Sequence, residues 1–412
     1  MASIPVSSKI RKIVRLLSAA GAKDILLVGG FARDYLLGIS SKDYDLEVYG
    51  LDYRQIRETL APFFYINQVG KSFSVLKVDS TIDIAIPRRE SKIGMGHKGF
   101  DVISDPNMTF EEAAARRDFT INAIGMRLDG TFCDPYGGQA DLEKRILRAT
   151  THAFCEDPLR VLRGMQMAAR FGMTMETRTV GFCQEVKPEF ATLSAERLYT
   201  EWWKWAEKGC WPEKGLEVLR QSGWVECFPA LWGLTLAGKW DETVSACSRA
   251  AENLERGKIS GKNHGLVLLA VLLHQVSEAV SFLTEMKSPQ WVVESVEPLV
   301  KYHDYALQNP LTEKALRHLA ENLAPASMGL WEEVWKAIYP EKYHSGWISL
   351  ARRMGLTERP PEVLLRGKDL LQYGIQPGPE MGKILKKARQ AQLDGEFEDY
   401  PSALAWLERF CC

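Results

Sequence analysis

Over the first 140 residues the spacing of hydrophobic positions switches repeatedly between short continuous or alternating runs and helical periods. Ile25 to Gly30 is an apolar run ending in two glycines, the pattern of a buried strand. Tyr44 to Tyr49 alternates and predicts a second strand. Val75 to Val78 and Thr81 to Ile86 predict a hairpin with Asp79 and Ser80 at its turn, and Ile124 to Leu128 a further short strand. Between these, Lys9 to Ala20 and Leu51 to Leu60 repeat at helical spacing. The combination predicts a small mixed sheet with flanking helices, an α+β head suited to nucleotide binding.

After Thr150 the alternation essentially stops, and Leu, Ala and Trp recur at helical spacing to the end of the chain. Asp157-Pro158 marks a helix start, with a carboxylate cap and Pro in the first turn. Breaks are expected near Lys187-Pro188, Cys210-Trp211-Pro212, Phe228-Pro229, Gly261, Asn309-Pro310 and Pro360-Pro361. No fixed-period repeat or low-complexity tract interrupts the pattern.

Composition sharpens this division. All twelve Trp lie at or beyond Trp202, so the strand-rich and helical halves also differ in residue usage. With 412 residues there is room for two to four domains. Formal charge is −1, from 52 basic and 53 acidic side chains, which excludes a uniformly basic nucleic-acid coat protein but not a local basic face. No apolar run reaches the ~18 residues that span a bilayer, so no membrane association is expected. Met1 to Lys12 lacks the basic, apolar, small-residue order of a secretory signal. The eight Cys include no Cys-x-x-Cys pair, and they read as buried thiols in a reducing, cytoplasmic compartment.

The chemistry concentrates in the strand-rich half. Gly29-Gly30-Phe31-Ala32-Arg33-Asp34 is followed by Leu36-Leu37-Gly38 and then by Asp43-Tyr44-Asp45. Two glycines at a strand end let the backbone approach a phosphate, and a helix starting there favours an anion. Arg33 adds a positive charge on the same turn. Asp43 and Asp45, at i and i+2, share one face of the next strand. Paired carboxylates repel unless a cation sits between them, and hard oxygen ligands suit Mg²⁺. Either half alone is explained by a glycine turn or a solvated acidic strand. In this order they predict a metal-dependent triphosphate site.

These residues resemble the class II tRNA nucleotidyltransferases and the related bacterial poly(A) polymerases of the polymerase-β nucleotidyltransferase superfamily. The resemblance continues in Arg116-Arg117-Asp118-Phe119-Thr120-Ile121-Asn122-Ala123, in Asp134-Pro135-Tyr136-Gly137-Gly138, and in Glu156-Asp157-Pro158-Leu159-Arg160-Val161-Leu162-Arg163. It implies an α+β, polymerase-β-type nucleotidyltransferase head over 1–140, followed by an all-helical neck over 141–235, body over 236–345 and tail over 346–412. It also implies Asp43 and Asp45 as catalytic metal ligands, and Gly29, Gly30, Arg33, Arg117, Asn122, Asp157, Arg160 and Arg163 as nucleotide-binding residues. Arg117 matches the family's triphosphate-contacting arginine, and Asn122 is expected to fix the loop or contact the ribose. Asp83, on the strand beside Asp45, is either a third metal ligand or a brace of the site.

Asp157, Arg160 and Arg163 share a helix face. Cytosine and adenine both present a ring-nitrogen acceptor beside an amino donor, so one Arg-Asp pair satisfies both bases. Uracil and guanine present the reverse order and leave buried groups unpaired, at roughly 1–3 kcal/mol each. The family often has a third arginine three residues on, where this chain has Gln166. Arg88-Arg89-Glu90 followed by the glycine-rich stretch from Gly94 to Gly99 resembles the family's flexible loop.

In the body, His264, His274 and His303-Asp304 evoke the HD phosphohydrolase domain of some relatives. Gln275 stands where that site needs Asp, and Glu242 where it needs the first His, so a helical scaffold without the HD metal site is expected. The segment from Arg366 to Glu396 resembles the family's tail, where Lys383, Lys386, Lys387 and Arg389 are candidate contacts to tRNA phosphates. Trp202-Trp203-Trp205 reads as helix core. Gly70-Lys71-Ser72 imitates a Walker A ending, but Tyr65 replaces its first glycine. The resemblance implies template-independent addition of CCA to tRNA 3′ ends from CTP and ATP, with Mg²⁺ as cofactor and no stable protein partner. The alternative is a poly(A) polymerase or an enzyme adding only A or CC.

Overall fold

The computed structural model describes residue 4 and residues 6–40, 43–67, 75–79, 82–92 and 100–411. These fall into two compact units, residues 1–205 with 214–228, and residues 206–213 with 229–412. The neck segment expected over 141–235 is divided between them.

The first unit is built on strands β1 (Asp24–Val28), β2 (Tyr44–Tyr49), β3 (Ile66–Asn67), β4 (Val75–Val78), β5 (Ile82–Ala85), β6 (Arg88–Lys92), β7 (Phe100–Ser104), β8 (Gly125–Met126) and β9 (Phe132–Cys133). Seven of them form one sheet in the order β3-β4-β5-β2-β1-β8-β9. Every neighbouring pair in it is antiparallel except β2 and β5, which run parallel with Asp45 opposite Asp83. The hairpin expected around Asp79 is present as β4 and β5, and Asp79 takes φ +53° at the turn. Strands β6 and β7 form a separate hairpin. Gly94 to Gly99 between them, and Gly70-Lys71-Ser72, lie outside the described residues.

The helices of this unit are α1 (Ser8–Ala19), α2 (Gly30–Leu36), α3 (Tyr53–Leu60), α4 (Phe110–Ala114), α5 (Gly138–Glu143), α6 (Leu159–Phe171) and α7 (Thr177–Glu185), with α8 (Ala195–Lys208) and α9 (Pro212–Gln221) following. Helix α1 buries Ile10, Ile13 and Leu17 on one stripe, and the Ser7 side chain caps it by accepting from Ile10 N. The predicted strand from Ile25 to Gly30 ends earlier, because Gly30 already belongs to α2. A two-residue strand β10 (Ile146–Leu147) pairs in parallel with β11 (Thr174–Met175), beyond the point where strands were expected to stop. Gly172, in the left-handed region at φ +64°, ends α6, and Thr174 N and Glu176 N then donate to Arg145 O and Leu147 O. This pairing depends on a tertiary turn that periodicity does not register.

The motif Asp134-Pro135-Tyr136-Gly137-Gly138 is structural. Asp134 accepts from Gly138 N at 2.7 Å and Gln139 N at 2.9 Å, capping α5. A Cβ on Gly138 would lie 2.2 Å from Thr120 O, so this glycine lets α5 pack on the turn Thr120–Asn122. Trp202 and Trp205 are buried core side chains.

Among its described residues the second unit is all helical: α10 (Pro229–Leu236), α11 (Trp240–Arg256), α12 (Lys262–Leu273), α13 (Ala279–Glu285), α14 (Gln290–Lys301), α15 (Tyr305–Gln308), α16 (Glu313–Leu323), α17 (Met328–Ile338), α18 (Gly346–Arg353), α19 (Gly367–Gln372), α20 (Pro379–Asp394) and α21 (Tyr400–Cys411). Helix α12 is apolar on all sides and is buried from His264 to Leu273, packed by α11, α14 and α17. A further apolar cluster joins Leu370, Ile384, Ala388, Phe397, Ala403 and Leu407 from α19, α20, α21 and the loop before α21. No helix among the described residues is long and apolar enough to cross a membrane.

Candidate active site

Strand β1 ends at Val28 and leads into Gly29, whose φ of +63° and ψ of −123° favour glycine. A Cβ there would sit 3.2 Å from Arg117 Nη1, so the glycine also admits the arginine against the backbone. Arg33 is positioned by the first turn of α2 but is more enclosed than an anion-facing charge. It is 5% exposed. Its Nε and Nη2 donate to Asp34 Oδ1 at 2.8 and 2.6 Å, and its Nη1 to Asn122 Oδ1 at 2.7 Å. Burial lowers its pKa, against the opposing effect of Asp34. Arg33 thus braces the turn.

Strand β2 presents the acidic face. Asp43 immediately precedes the strand, and Asp45, Glu47 and Tyr49 follow on the same side at period two. Partial loss of hydration raises the Asp45 pKa above the usual carboxylate value. Repulsion from Asp83 and Asp43 adds to it, and Arg117 and Lys77 oppose it. Asp83 is on the same face through the parallel register and lies 3.4 Å from Lys77 Nζ. Oxygen donors whose mutual repulsion a cation would relieve fit a hard divalent ion. Asp43 and Asp45 carry carboxylates whose mutual repulsion is of that kind.

Glu47 was not singled out from the sequence, although its i+2 spacing from Asp45 was a signal for it. It accepts from Tyr49 OH at 2.9 Å and from Arg117 Nη2 at 3.2 Å, so it orients the arginine. Arg117 Nη1 reaches Asn122 O at 3.4 Å. Asn122 then donates to Asp118 Oδ1 at 2.9 Å. Asp118 Oδ2 accepts from Arg163 Nε at 2.8 Å and Nη2 at 2.6 Å. Asn122 and Asp118 therefore couple the α2 turn to helix α6, and Asn122 fixes the loop.

The Asp157 and Arg160 side chains do not bond each other, although Arg160 N donates to Asp157 O at 3.0 Å. Asp157 Oδ1 caps α6 by accepting from Leu159 N at 3.1 Å, and Oδ2 accepts from Arg197 Nη2 on α8 at 2.8 Å. Arg160 Nη1 donates to Ala153 O at 2.6 Å and Nη2 to Arg116 O at 2.8 Å. Burial lowers the Arg160 pKa, offset by Asp118 and Asp157. Arg116 in turn pairs with Glu156. Arg197 was missed from the sequence because forty residues separate it from Asp157 and no local pattern links them.

Two cavities meet at these residues. One, of about 380 Å³, is lined by Asp45, Glu47, Asp83, Arg88, Arg116, Arg117 and Arg160 among others. The second, of about 480 Å³, is lined by Gly29, Gly30, Arg33, Asp118, Asn122, Asp157, Arg163 and Arg197, and again by Asp45, Arg116, Arg117 and Arg160.

In the second unit, Gln275 Nε2 donates to Glu242 Oε2 at 3.2 Å, and the His274 and His303 rings are 5.5 Å apart. His274 Nδ1 is bonded to Val271 O and its pKa is lowered by burial to about 4, while His264 Nδ1 bonds Ala206 O. The degenerate positions thus come together around an amide in place of a carboxylate. On α20, Lys383, Lys386 and Lys387 are exposed. Arg389 is not part of that exposed face. Its guanidinium bonds Glu321, Gln392 Oε1 and Pro361 O, tying α20 to α16. The fold turns it inward, although its sequence spacing had grouped it with the lysines.

Residues 25–148 match a family model described as the poly A polymerase head domain, and residues 258–407 one described as tRNA nucleotidyltransferase domain 2, putative. The multifunctional CCA protein of Neisseria meningitidis serogroup B is 34% identical over 311 residues, covering 72% of this chain and 69% of that protein. That of Vibrio vulnificus is 36% identical over 276 residues, covering 64% of this chain and 66% of that protein. The chain thus spans about two thirds of the length of these relatives. The fold matches the Bacillus stearothermophilus CCA-adding enzyme in complex with CTP, with a TM-score of 0.73, 24% identity and 98% coverage of both chains. It also matches the Thermotoga maritima CCA-adding enzyme complexed with tRNA, with a TM-score of 0.65, 21% identity and coverage of 99% of this chain and 97% of that one. The acidic β2 face, the arginine-lined cleft and these matches lead to one conclusion: the chain belongs to the CCA-adding tRNA nucleotidyltransferase family.

Proposed function

We propose that this protein adds C, C and A to tRNA 3′ ends from CTP and ATP without a nucleic-acid template, in the cytoplasm. One observation carries the reading. Asp45, Arg116, Arg117 and Arg160 line both cavities, so the acidic strand face and the Asp157 and Arg160 side chains address the same space.

The tRNA 3′-hydroxyl attacks the α-phosphorus in line and pyrophosphate leaves. Mg²⁺ held by Asp43 and Asp45 supplies, when bound, a lower hydroxyl pKa and neutralisation of the leaving oxygens. Arg117, aimed by Glu47 and the Asn122 carbonyl, neutralises the triphosphate beside Gly29 and Gly30. Two backbone carbonyls hold Arg160, and a guanidinium has five N–H donors, so it retains donors for the ring nitrogen of C or A. Asp157, held by Arg197 and Leu159 N, keeps acceptor capacity for the exocyclic amino group. Arg163, Asp118, Asn122 and Arg33 position this wall. Lys383, Lys386 and Lys387 form a basic patch for tRNA phosphates.

The test supplies tRNA ending at the discriminator base, at -C and at -CC, with each nucleoside triphosphate in turn. CTP incorporation, then ATP, then arrest at CCA is expected. Long A tails, or arrest before the final A, would overturn the reading.

A further inference from the structure

Away from the cleft, the turn that leads into α6 carries a second set of metal-type donors. His152 and Cys155 are three residues apart on the 3₁₀ turn His152–Glu156. Such a turn has three residues per revolution, so i and i+3 stand one above the other. Glu185, the last residue of α7, faces them. His152 Nε2 is 3.0 and 3.1 Å from the two Glu185 oxygens. One ligand atom each from His152, Cys155 and Glu185 all lie within 4.8 Å of one another. Phe182 closes the back of the group. Its ring meets the His152 ring edge-on at 5.1 Å, and its carbonyl is 3.9 Å from Cys155 Sγ.

We propose that His152, Cys155 and Glu185 form a zinc site. A thiolate, an imidazole and a carboxylate are the donor types that Zn²⁺ takes, and three protein ligands leave a fourth position for water. Mg²⁺ prefers oxygen ligands throughout, so this site is chemically distinct from Asp43 and Asp45. In a zinc tetrahedron with bonds of about 2.0–2.3 Å, ligand atoms lie roughly 3.3–3.8 Å apart. The observed spacing closes to that value by small rotations of His152 and Glu185, both exposed and able to move. Cys155 sits on the buried side and gives up its thiol proton to solvent on binding.

The turn's other residues give the site a consequence. Ala153 O holds Arg160, Glu156 holds Arg116, and Asp157 follows directly. A metal bridging the turn to Glu185 would clamp α7 onto the segment that orients these side chains. The site rests on its donors alone and stands or falls independently of the proposed reaction.

The test titrates Co²⁺ into the reduced, chelator-stripped full-length chain, with Zn²⁺ as competitor and excess Mg²⁺ as control. A thiolate-to-cobalt charge-transfer band that Zn²⁺ abolishes and Mg²⁺ leaves unchanged is expected. Cys155→Ser should lose the band. Glu185→Gln, at an exposed helix end where folding is unaffected, should weaken binding by more than about tenfold, the loss seen even for outer partners of a metal ligand. Absence of the band in the unmodified chain would mean a His152 and Glu185 ion pair only and overturns the site. A band that survives in Cys155→Ser, or an affinity unchanged in Glu185→Gln, overturns it equally.

Discussion

Asp118 joins the two halves of the cleft wall, and removing it exposes how much that wall depends on it. Its side chain is 7% exposed. Oδ1 accepts from Asn122 Nδ2 at 2.9 Å and Phe119 N at 2.8 Å, and Oδ2 from Arg163 at 2.8 and 2.6 Å. Asp118→Ala leaves the Asn122 amide, the Phe119 N–H and the Arg163 guanidinium without their acceptor. Breaking a buried ion pair by deleting one partner costs roughly 3–5 kcal/mol. The Arg163 side chain is 36% exposed, so water recovers part of its loss, and the lower end, about 3 kcal/mol, is expected. Urea unfolding should be followed by the fluorescence of tryptophans such as Trp202, Trp205 and Trp224, and fitted to the transition of the first unit alone, since two units need not unfold together. A double-mutant cycle with Arg163→Met isolates the pair. A loss below about 1 kcal/mol, or a strictly additive cycle, would refute the reasoning. The pH dependence supplies a further check. Burial pushes the Asp118 pKa up, but Arg163 and the bonds from Asn122 and Phe119 N–H outweigh it and hold it below the ordinary 3.8. A depressed carboxylate stabilises above its unfolded pKa, and that stability is lost as pH falls through the folded value. The advantage over Asp118→Asn should therefore be flat near neutrality and shrink only in acid below the ordinary carboxylate range.

Asp45→Ala should abolish nucleotide incorporation while leaving the circular dichroism spectrum intact; near-normal incorporation would remove Asp45 from the chemistry. Gly138→Ala should destabilise the first unit by about 1–3 kcal/mol, because its Cβ would lie 2.2 Å from Thr120 O; an unchanged urea midpoint contradicts that packing. Arg197→Met frees one Asp157 oxygen, and the kcat/KM preference for CTP over UTP should fall on the order of tenfold; steady-state kinetics with both nucleotides decides it. Exchanging Lys383, Lys386 and Lys387 for Gln should weaken tRNA binding and reduce its salt slope by about 1 per lysine, whereas Arg389→Ala should show mainly as lost stability.

Much of the head was legible because its information is local. A strand alternates with period two, so Asp45 had to lie on one face wherever the strand lay, with Asp43 two residues before it at the strand's entry. Glycine tolerates positive φ, so Gly29 announced a turn that side chains rarely adopt. The end of α6 and the β10 and β11 pairing were not legible, because a two-residue parallel ladder leaves no period to read. The tail shows the same limit. Four basic residues on one helix look alike in sequence, yet Glu321 and the Pro361 carbonyl draw Arg389 inward and leave the lysines outside.

The sequence by itself determined the element types, the acidic strand face, the glycine turn and the order of motifs, all properties of neighbours within a few positions. The tertiary structure decided which of these residues meet. It placed Asp83 beside Asp45 through strand register, made Asp118 the shared partner of Asn122 and Arg163, brought Arg197 to Asp157, and set Glu185 against His152 and Cys155. Those contacts join positions up to forty-five residues apart, where local backbone preference carries no information and only packing and the pairing of buried charge select the partner.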